Sequence, residues 1–208
     1  MINSFRESLS DADRLRLLYE HCVDQLQLPR DYSDLLRMSF VYCLSALDKL
    51  MHDIILHEMV EVYIGRRSQT PKYLDEALTI RQHLDLSIAT TSPAAIIFGD
   101  IVRVKLSRMT FMDPDKITDG LSLVWGESHK WQVIAKELGR DEAQVKIELR
   151  NLFKRRNAIV HETDRSPVSG EKLPIEPSDA ERVQKFISAI GETIYRLVCL
   201  RPQTTIQG

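Results

Sequence analysis

An arginine and a histidine near residue 160 are the side chains of this sequence best suited to chemistry. Arg156 and His161 lie five residues apart in the segment 141–164, DEAQVKIELRNLFKRRNAIVHETD. A guanidinium keeps its charge and fits the oxygens of phosphates and carboxylates, whereas an imidazole exchanges protons near neutral pH. The pair therefore suits the binding of an anion, and the imidazole adds the capacity to move a proton.

The same segment has the periodicity of a helix that faces a core. At about 100° per residue, five apolar side chains fall on one stripe: Val145, Leu149, Leu152, Phe153 and Val160. Arg156 lies in the middle of this stripe. Because an unpaired guanidinium among apolar side chains is costly, Arg156 requires a partner carboxylate, a bound anion or a water-filled cleft.

Beside the apolar stripe runs a second stripe, which is basic and polar. It consists of Lys146, Arg150, Lys154, Asn157 and His161. One interpretation is a solvated helix face, with Arg156 paired to an acidic residue of another helix. The other is that Arg156 and His161 flank an anion, while basic residues of the stripe guide a polyanionic chain towards it. A local basic run in a chain of net charge −2 favours the second interpretation without deciding it.

The string RNAIVH at residues 156–161 is similar to the Arg-x4-His motif of the HEPN superfamily. Members of this superfamily are helical-bundle ribonucleases and RNA-binding relatives, frequent in bacterial toxin–antitoxin and antiphage systems. They often have a polar residue directly after the arginine, a place that Asn157 fills here. The resemblance covers residues 32–200 as an order of helices. It implies an all-α helical bundle of the HEPN type with extra peripheral helices.

The resemblance implies a metal-independent endoribonuclease of a toxin or antiphage-defence system. The ribose 2′-OH would attack its own adjacent phosphate and leave a 2′,3′-cyclic phosphate and a 5′-OH end. His161 would be the general acid or base, Arg156 would stabilise the phosphorane, and Asn157 would orient the phosphate or the imidazole. Three basic side chains would bind RNA: Lys154, Arg150 and Lys146. The alternative is a non-catalytic HEPN-type dimer that binds RNA or a protein.

The geometry of a helix restricts how the motif can act. Arg156 and His161 project about 140° apart, so in one chain they cannot close on the same atom. HEPN proteins resolve this by dimerising, which implies a homodimer with a composite active site at an interface that includes the end of this helix. Arg155 points about 100° away from Arg156 and is expected at the surface or in an interface. An antitoxin or sensor protein is a further partner that the resemblance suggests.

An earlier segment offers two auxiliary residues. Asp48 and His52, in SALDKLMH, resemble an acidic-then-histidine segment in the first core helix of some HEPN subgroups. Asp48 lies beside an apolar stripe, so we expect it to face Arg156 across the bundle. The spacing of Asp48 and His52 also fits a plain pair on a helix surface.

Proline-free runs with helical periodicity fill most of the chain and predict an all-helical fold. Ser178 and Glu181 have the spacing of a capping box for the last helix. Residues 101–106 are ambiguous between helix and strand. The predicted helices are 11–26, entered through Ser8 or Ser10, then 32–64, 71–86, 92–109, 115–126, 128–138, 141–161 and a last one from Ser178. We expect an N-terminal helical extension (1–30), a HEPN-like helical domain (31–200) and a flexible tail (201–208).

Composition narrows the class of protein. The 208 residues are 43% hydrophobic and 28% charged, as in soluble globular chains. No run approaches 18 apolar residues, and the first residues lack the apolar core of a signal peptide. The three cysteines (Cys22, Cys43 and Cys199) form no metal-type pair, and no glycine-rich nucleotide motif occurs. We therefore expect a cytoplasmic protein that needs no metal, cofactor or membrane.

Overall fold

The computed structural model describes residues 1–88 and 93–201, which form a bundle of helices. In chain order these are α1 (Ile2–Glu20), α2 (Asp34–Tyr63), α3 (Pro71–Leu74), α4 (Ile80–Ser87), α5 (Ala94–Leu106), α6 (Pro114–Leu121), α7 (Lys130–Glu137), α8 (Glu142–Glu162) and α9 (Pro177–Cys199). One turn of π-helix, His21–Gln25, follows α1. The described residues contain no strand, only an isolated bridge between Arg165 and Lys172. The predicted all-α bundle is confirmed.

α2 is the central helix of the bundle. Helices α1, α5, α8 and α9 pack against it from different directions. Its side chains are accordingly apolar around most of the circumference, and those fully buried include Leu36, Leu44, Leu47, Met51, Ile54 and Ile55. A helix that is apolar on most sides belongs in the interior of a bundle. Even so, no helix within residues 1–88 and 93–201 has the length and apolarity that crossing a membrane requires.

α1 docks closely on α2 and α9. A Cβ atom at Gly191 would overlap the Phe5 ring and lie 3.0 Å from Leu50, so only glycine lets α1 approach this far. At the rim, Arg6 binds Glu192 at 2.6 and 2.9 Å. α1 thus shares one hydrophobic core with α2 and α9. The division of the chain expected at residue 30 stays a prediction. Residues 202–208 of the expected tail lie outside the described residues.

Two predicted helix bounds in the first half are wrong. The first helix begins at Ile2 rather than near residue 11, because Ser8 bonds to the Ser4 carbonyl at 2.9 Å inside the helix instead of capping it. The single helix predicted at 71–86 is two helices, α3 and α4. The break arises because Thr79 and Gln82 form a capping box that starts a new helix.

The start of the last helix also differs from the prediction. α9 begins at Pro177, with Glu176 as its N-cap, and the capping box joins Glu176 to Asp179 rather than Ser178 to Glu181. Proline presets the backbone angle of a first helical residue, which places the start one position earlier. The ambiguous residues 101–106 are helical, as the end of α5. The start predicted for that helix, at residue 92, lies outside the described residues.

Candidate functional site

α8 presents the Arg-x4-His motif at its C-terminal end. The helix ends at Glu162, because Thr163 and Asp164 both adopt left-handed backbone angles, with φ of 57° and 53°. A left-handed residue ends the ladder of helical hydrogen bonds. His161 therefore lies in the last turn, and Arg156 about one and a half turns before it.

The residues of α8 that face the core do not follow one straight stripe to the end of the helix. Val145, Leu149 and Leu152 are buried, as predicted. Val160 is 45% exposed, whereas Ile159 packs against the core. The core position predicted for Val160 is therefore wrong, because two helices that cross at an angle do not keep contact along one straight line of residues.

Arg156 is half-buried and has no counter-charge within the described residues. Its Nη1 donates to the Oδ1 of Asn157 at 3.2 Å, and its Nε is buried without a hydrogen-bond partner. No described carboxylate lies within ion-pair distance of the guanidinium. A guanidinium in this stripe requires one of three partners: a carboxylate of the chain, a bound anion or a water-filled cleft. The described chain supplies no such carboxylate. An anion or a water-filled cleft remains.

His161 and Asn157 lie one turn apart, on a side of α8 that reaches solvent. The His161 side chain is exposed and forms no hydrogen bond with the described residues, whereas Asn157 is half-buried. Arg156 projects in another direction, about 140° around the helix from His161. A single chain therefore presents the parts of a site and does not close them around one point.

The three basic residues expected to bind RNA differ in their pairing. Arg150 donates to both carboxylate oxygens of Asp115, at 2.8 and 3.0 Å. Lys146 lies 3.4 Å from Glu142. Lys154 is exposed and forms no ion pair with any described residue. Within the described chain, Lys154 is the member of this group whose charge is not already balanced by a carboxylate.

Arg155, the neighbour of Arg156, is bound inside the chain. Its Nη2 donates to the Pro174 carbonyl at 2.7 Å and lies 3.4 Å from the Oδ2 of Asp164. Its guanidinium lies 6.0 Å from the centre of the Phe40 ring. The Arg155 side chain is 28% exposed, so it lies at the surface in part, as expected, while the loop between α8 and α9 covers the rest.

Asp164 joins the end of α8 to the beginning of α2. Its carboxylate is fully buried, and its Oδ2 accepts a hydrogen bond from the Nε of Arg37 at 2.9 Å. Arg37 is also buried and donates to the Leu173 carbonyl at 2.5 Å. We call Asp164, Arg37 and Arg155 the Asp164 clamp. Because an unpaired buried charge is costly, the clamp holds the backbone that follows His161 against α2.

Asp48 and His52 lie away from Arg156. Asp48 accepts a hydrogen bond from the backbone N–H of Phe111, and its Oδ2 lies 3.9 Å from the Nε2 of His52. The rings of His52 and Phe111 meet edge to face, with centres 4.8 Å apart. Arg155, the residue before the motif, lies over the Phe40 ring of α2. Asp48 lies eight residues after Phe40 on the same helix, which is roughly 12 Å along its axis. The predicted contact between Asp48 and Arg156 is wrong, because Asp48 binds the segment between α5 and α6.

Two of the three cysteines are unsuited to nucleophilic catalysis, and the described residues present no candidate metal site. Burial raises the pKa of Cys43 and of Cys199 to about 12, so both thiols stay protonated at neutral pH. Among the residues that the structure describes, no group of three or more His, Cys, Asp or Glu side chains is placed to hold a metal ion. The end of α8 is the candidate site that combines an anion-binding group with a group that can transfer a proton.

An all-helical bundle with an Arg-x4-His motif at the end of a long, partly buried helix defines a HEPN-type domain. A family model described as RiboL-PSP-HEPN matches residues 7–200. The chain therefore belongs to the RiboL-PSP-HEPN family, within the HEPN superfamily. Comparisons with curated proteins and with solved structures gave no match. Membership of the superfamily indicates a ribonuclease or RNA-binding function.

Proposed function

We propose that this chain is a metal-independent endoribonuclease whose active site forms around Arg156 and His161. The observation that carries the proposal is the state of Arg156, a half-buried guanidinium without a counter-charge among the described residues, close in sequence to an exposed imidazole. A cation in this state is suited to bind an anion. In a family of ribonucleases and RNA-binding proteins, the anion with the matching chemistry is an RNA phosphate.

The reaction is an attack of the ribose 2′-OH on the adjacent phosphate. The new P–O bond forms as the bond to the 5′ oxygen breaks, which leaves a 2′,3′-cyclic phosphate and a 5′-OH end. His161 accepts the proton of the 2′-OH or donates one to the leaving oxygen. Arg156 donates to the phosphate oxygens on which charge accumulates. Asn157 orients the guanidinium through its Oδ1, at 3.2 Å, and its amide N–H groups remain for the phosphate.

The proposal includes a homodimer, because one chain does not bring the motif together. A two-fold axis beside the end of α8 would place two copies of Arg156 and of His161 around one groove. An imidazole of one protomer could then act on the same phosphate as a guanidinium of its partner. Apolar side chains at this end of the bundle support an interface there, since Val160, Met38 and Tyr42 are each close to half exposed. Tyrosine and methionine are enriched in protein interfaces relative to the rest of the surface.

RNA would reach the groove along the basic stripe of α8. Lys154 is available for a phosphate without the loss of an existing ion pair. Arg150 and Lys146 would first have to release Asp115 and Glu142. We therefore expect Lys154 to contribute more to RNA affinity than the other two.

The alternative is a non-catalytic dimer of the same family that binds RNA or a protein. The observation that favours it is the divergence of Arg156 and His161 on one helix, which suits binding as long as no second copy completes the site. In that case Arg156 anchors an anion, and His161 transfers no proton.

Incubation of the purified chain with a labelled RNA oligonucleotide in EDTA tests the proposal. Wild-type protein should produce ends with a 2′,3′-cyclic phosphate, identified by mass spectrometry. His161→Ala and Arg156→Ala should each lower the cleavage rate by roughly 100-fold or more. Binding without cleavage, unchanged by His161→Ala, would instead support the non-catalytic alternative.

A mixing experiment tests whether the site is shared between two chains. Arg156→Ala and His161→Ala protomers, each inactive alone, should recover part of the activity when mixed, because a mixed dimer keeps one intact copy of each residue in the groove. Sedimentation at micromolar concentration should show the dimer. Cleavage by a sedimenting monomer, or no recovery on mixing, contradicts the shared site.

The proposed biological setting is a toxin or antiphage-defence system, with an antitoxin or sensor protein as partner. This setting rests on the resemblance of the motif to proteins of such systems. Expression in bacteria should arrest growth, and His161→Ala should relieve the arrest. Asp11→Asn, which changes only an exposed ion pair with Arg14, is the control and should remain toxic. Normal growth with an RNA-cleaving wild type would contradict the toxin setting and leave the enzyme proposal intact.

A further inference from the structure

A cavity of about 510 Å³ lies between the C-terminal half of α2 and the helices α3, α4 and α5. Three aromatic rings line its floor. Tyr63 and Phe98 are stacked with ring centres 4.3 Å apart, and Tyr73 is tilted against Phe98 at 6.3 Å. None of the residues that line this cavity belongs to α8. Its volume falls within the range of small-molecule binding sites.

The walls of the cavity are apolar. Met59 and Val102 are buried at its base, whereas Leu74 and Leu78 at its mouth are 63% and 42% exposed. Burial raises the pKa of the Tyr73 hydroxyl, which is consistent with a space poor in water. An apolar molecule in this cavity would cover the exposed leucines, and the removal of their surface from water favours binding.

Charged groups are confined to the rim of the cavity. Lys105 of α5 forms an ion pair with Glu76, which lies between α3 and α4. Arg108, two residues beyond the end of α5, also lines the rim, and it forms no ion pair with the described residues. Because Lys105 and Glu76 neutralise each other, the rim offers one unbalanced positive charge.

We propose that this cavity binds a small amphipathic monoanion, with an apolar body of medium-chain acyl size and one carboxylate. The apolar body occupies the space above the rings of Tyr63, Tyr73 and Phe98. The carboxylate remains at the mouth and accepts hydrogen bonds from Arg108. A polyphosphate would not match a rim with one unbalanced cation, and a ligand without charge would leave that cation unused.

Fluorescence of anilinonaphthalene sulfonate, itself an aromatic monoanion, supplies a direct measurement of binding to the full chain. Decanoate should displace the dye with a saturating curve. Decanol, which has the same chain without the carboxylate, should compete more weakly. Decanol as potent as decanoate would overturn the assignment of an anionic ligand.

Two variants locate the site within the cavity. Ala77→Trp adds a ring at the mouth from an exposed position that lines the cavity, and it should abolish saturable decanoate binding. Arg108→Ala should weaken decanoate by roughly three- to tenfold and leave decanol unchanged. The matched control is Arg103→Ala, in the last turn of α5 and paired with Asp100 outside the cavity, which should bind decanoate like wild type. Far-ultraviolet circular dichroism checks that each variant is folded.

The outcomes are separate from those of the ribonuclease experiments, because the cavity shares no residue with the motif. Undiminished decanoate binding by folded Ala77→Trp would overturn the cavity as the site. Equal weakening by Arg108→Ala and Arg103→Ala would show a general charge effect and overturn the role of Arg108. Saturable decanoate binding by wild type and Arg103→Ala, lost in Ala77→Trp and weakened in Arg108→Ala, supports the proposal.

Discussion

Arg155 and Arg156 are neighbours in sequence, and each has a buried Nε without a hydrogen-bond partner, but only Arg155 lies within ion-pair distance of a described carboxylate. Arg155 belongs to the Asp164 clamp, where its guanidinium donates to the Pro174 carbonyl at 2.7 Å and lies 3.4 Å from Asp164. Arg156, one position later, has only the amide oxygen of Asn157 at 3.2 Å among the described residues. One step along a helix is about 100°, and that rotation separates an arginine used for structure from one that remains available to a ligand.

The Asp164 clamp supports the candidate site from both sides. The clamp ties the chain on both sides of the motif to α2, since Arg155 precedes the motif and Asp164 follows it. The helix end is thereby held while Arg156 and His161 make no ion pair within the described residues. A rigid support beside an unsatisfied group is the arrangement expected of a preorganised site.

Breaking the clamp should lower the stability of the fold more than any other substitution considered. Asp164→Asn keeps the shape and tolerates the left-handed backbone, but it removes the negative charge between Arg37 and Arg155. Because buried Arg37 then keeps only the exposed carboxylate of Asp34, at 3.4 Å, the free energy of unfolding should fall by about 3 kcal/mol. Urea denaturation measures this change. Asp11→Asn, in an exposed pair, should change stability by less than about 1 kcal/mol, and a similar small loss for Asp164→Asn would contradict the clamp.

Alanine at each of the two neighbouring arginines tests the comparison directly. Arg156→Ala should lower RNA cleavage by about 100- to 1,000-fold with little change in stability, because this side chain pairs with no described carboxylate. Arg155→Ala should lower the free energy of unfolding by about 1–2 kcal/mol, because its hydrogen bonds are removed.

Cleavage assays and urea denaturation on both variants provide the measurements. If Arg156→Ala is the more destabilising of the two, Arg156 has a structural role and the contrast between the neighbours fails.

The salt dependence of RNA affinity sharpens the comparison along the rest of α8. In a His161→Ala background, which should bind without cleavage, Lys154→Ala should reduce the slope of log affinity against log salt by about 0.7 for each phosphate that the lysine neutralises. Arg150→Ala should reduce it less, because Arg150 is already paired with Asp115. Fluorescence anisotropy with single-stranded RNA at several salt concentrations measures both slopes. A larger reduction for Arg150→Ala would reverse the proposed order.

The smallest expected effect concerns the turn that leads into α2. The backbone N–H of Ser33 donates to Asp31 at 2.8 Å and holds the pKa of that carboxyl below its usual value. A lowered folded-state pKa stabilises the fold at neutral pH, and the contribution disappears as the pH falls through that pKa. Asp31→Asn should therefore cost a little stability at pH 7, below about 0.5 kcal/mol for an exposed group, and less at an acidic pH below the folded-state pKa of Asp31. Urea denaturation at the two pH values would contradict this if the difference were constant.

Local sequence patterns predicted the bounds of α2 and α8 to within two residues. The apolar repeat placed helices at 32–64 and 141–161, and the structure has α2 at Asp34–Tyr63 and α8 at Glu142–Glu162. The reason is that a helix depends on residues within one or two turns of each other. The start of α9 was missed because two overlapping pairs, Ser178 with Glu181 and Glu176 with Asp179, have the same capping spacing.

Long-range features of the site had no local signal. Arg37 and Asp164 are separated by 127 residues, so no spacing in the sequence indicates that they pair. The contact expected between Asp48 and Arg156 failed for the same reason, because helical periodicity states which side of α2 carries Asp48 but not which element meets it. Here that element is the segment at Phe111.

Residue order alone was enough to predict the helical character of the chain, the position of the Arg-x4-His motif and the resemblance to the HEPN superfamily that the family match confirms. The pairing of Arg155 with Asp164, the absence of a described carboxylate beside Arg156, and the attachment of the loop after α8 to α2 became apparent only in the folded chain. The difference arises because the interactions involved act over different distances along the sequence. Helix formation depends on neighbours within a few residues, whereas the balance of a buried charge depends on which distant carboxylate or carbonyl the packing brings within about 3 Å.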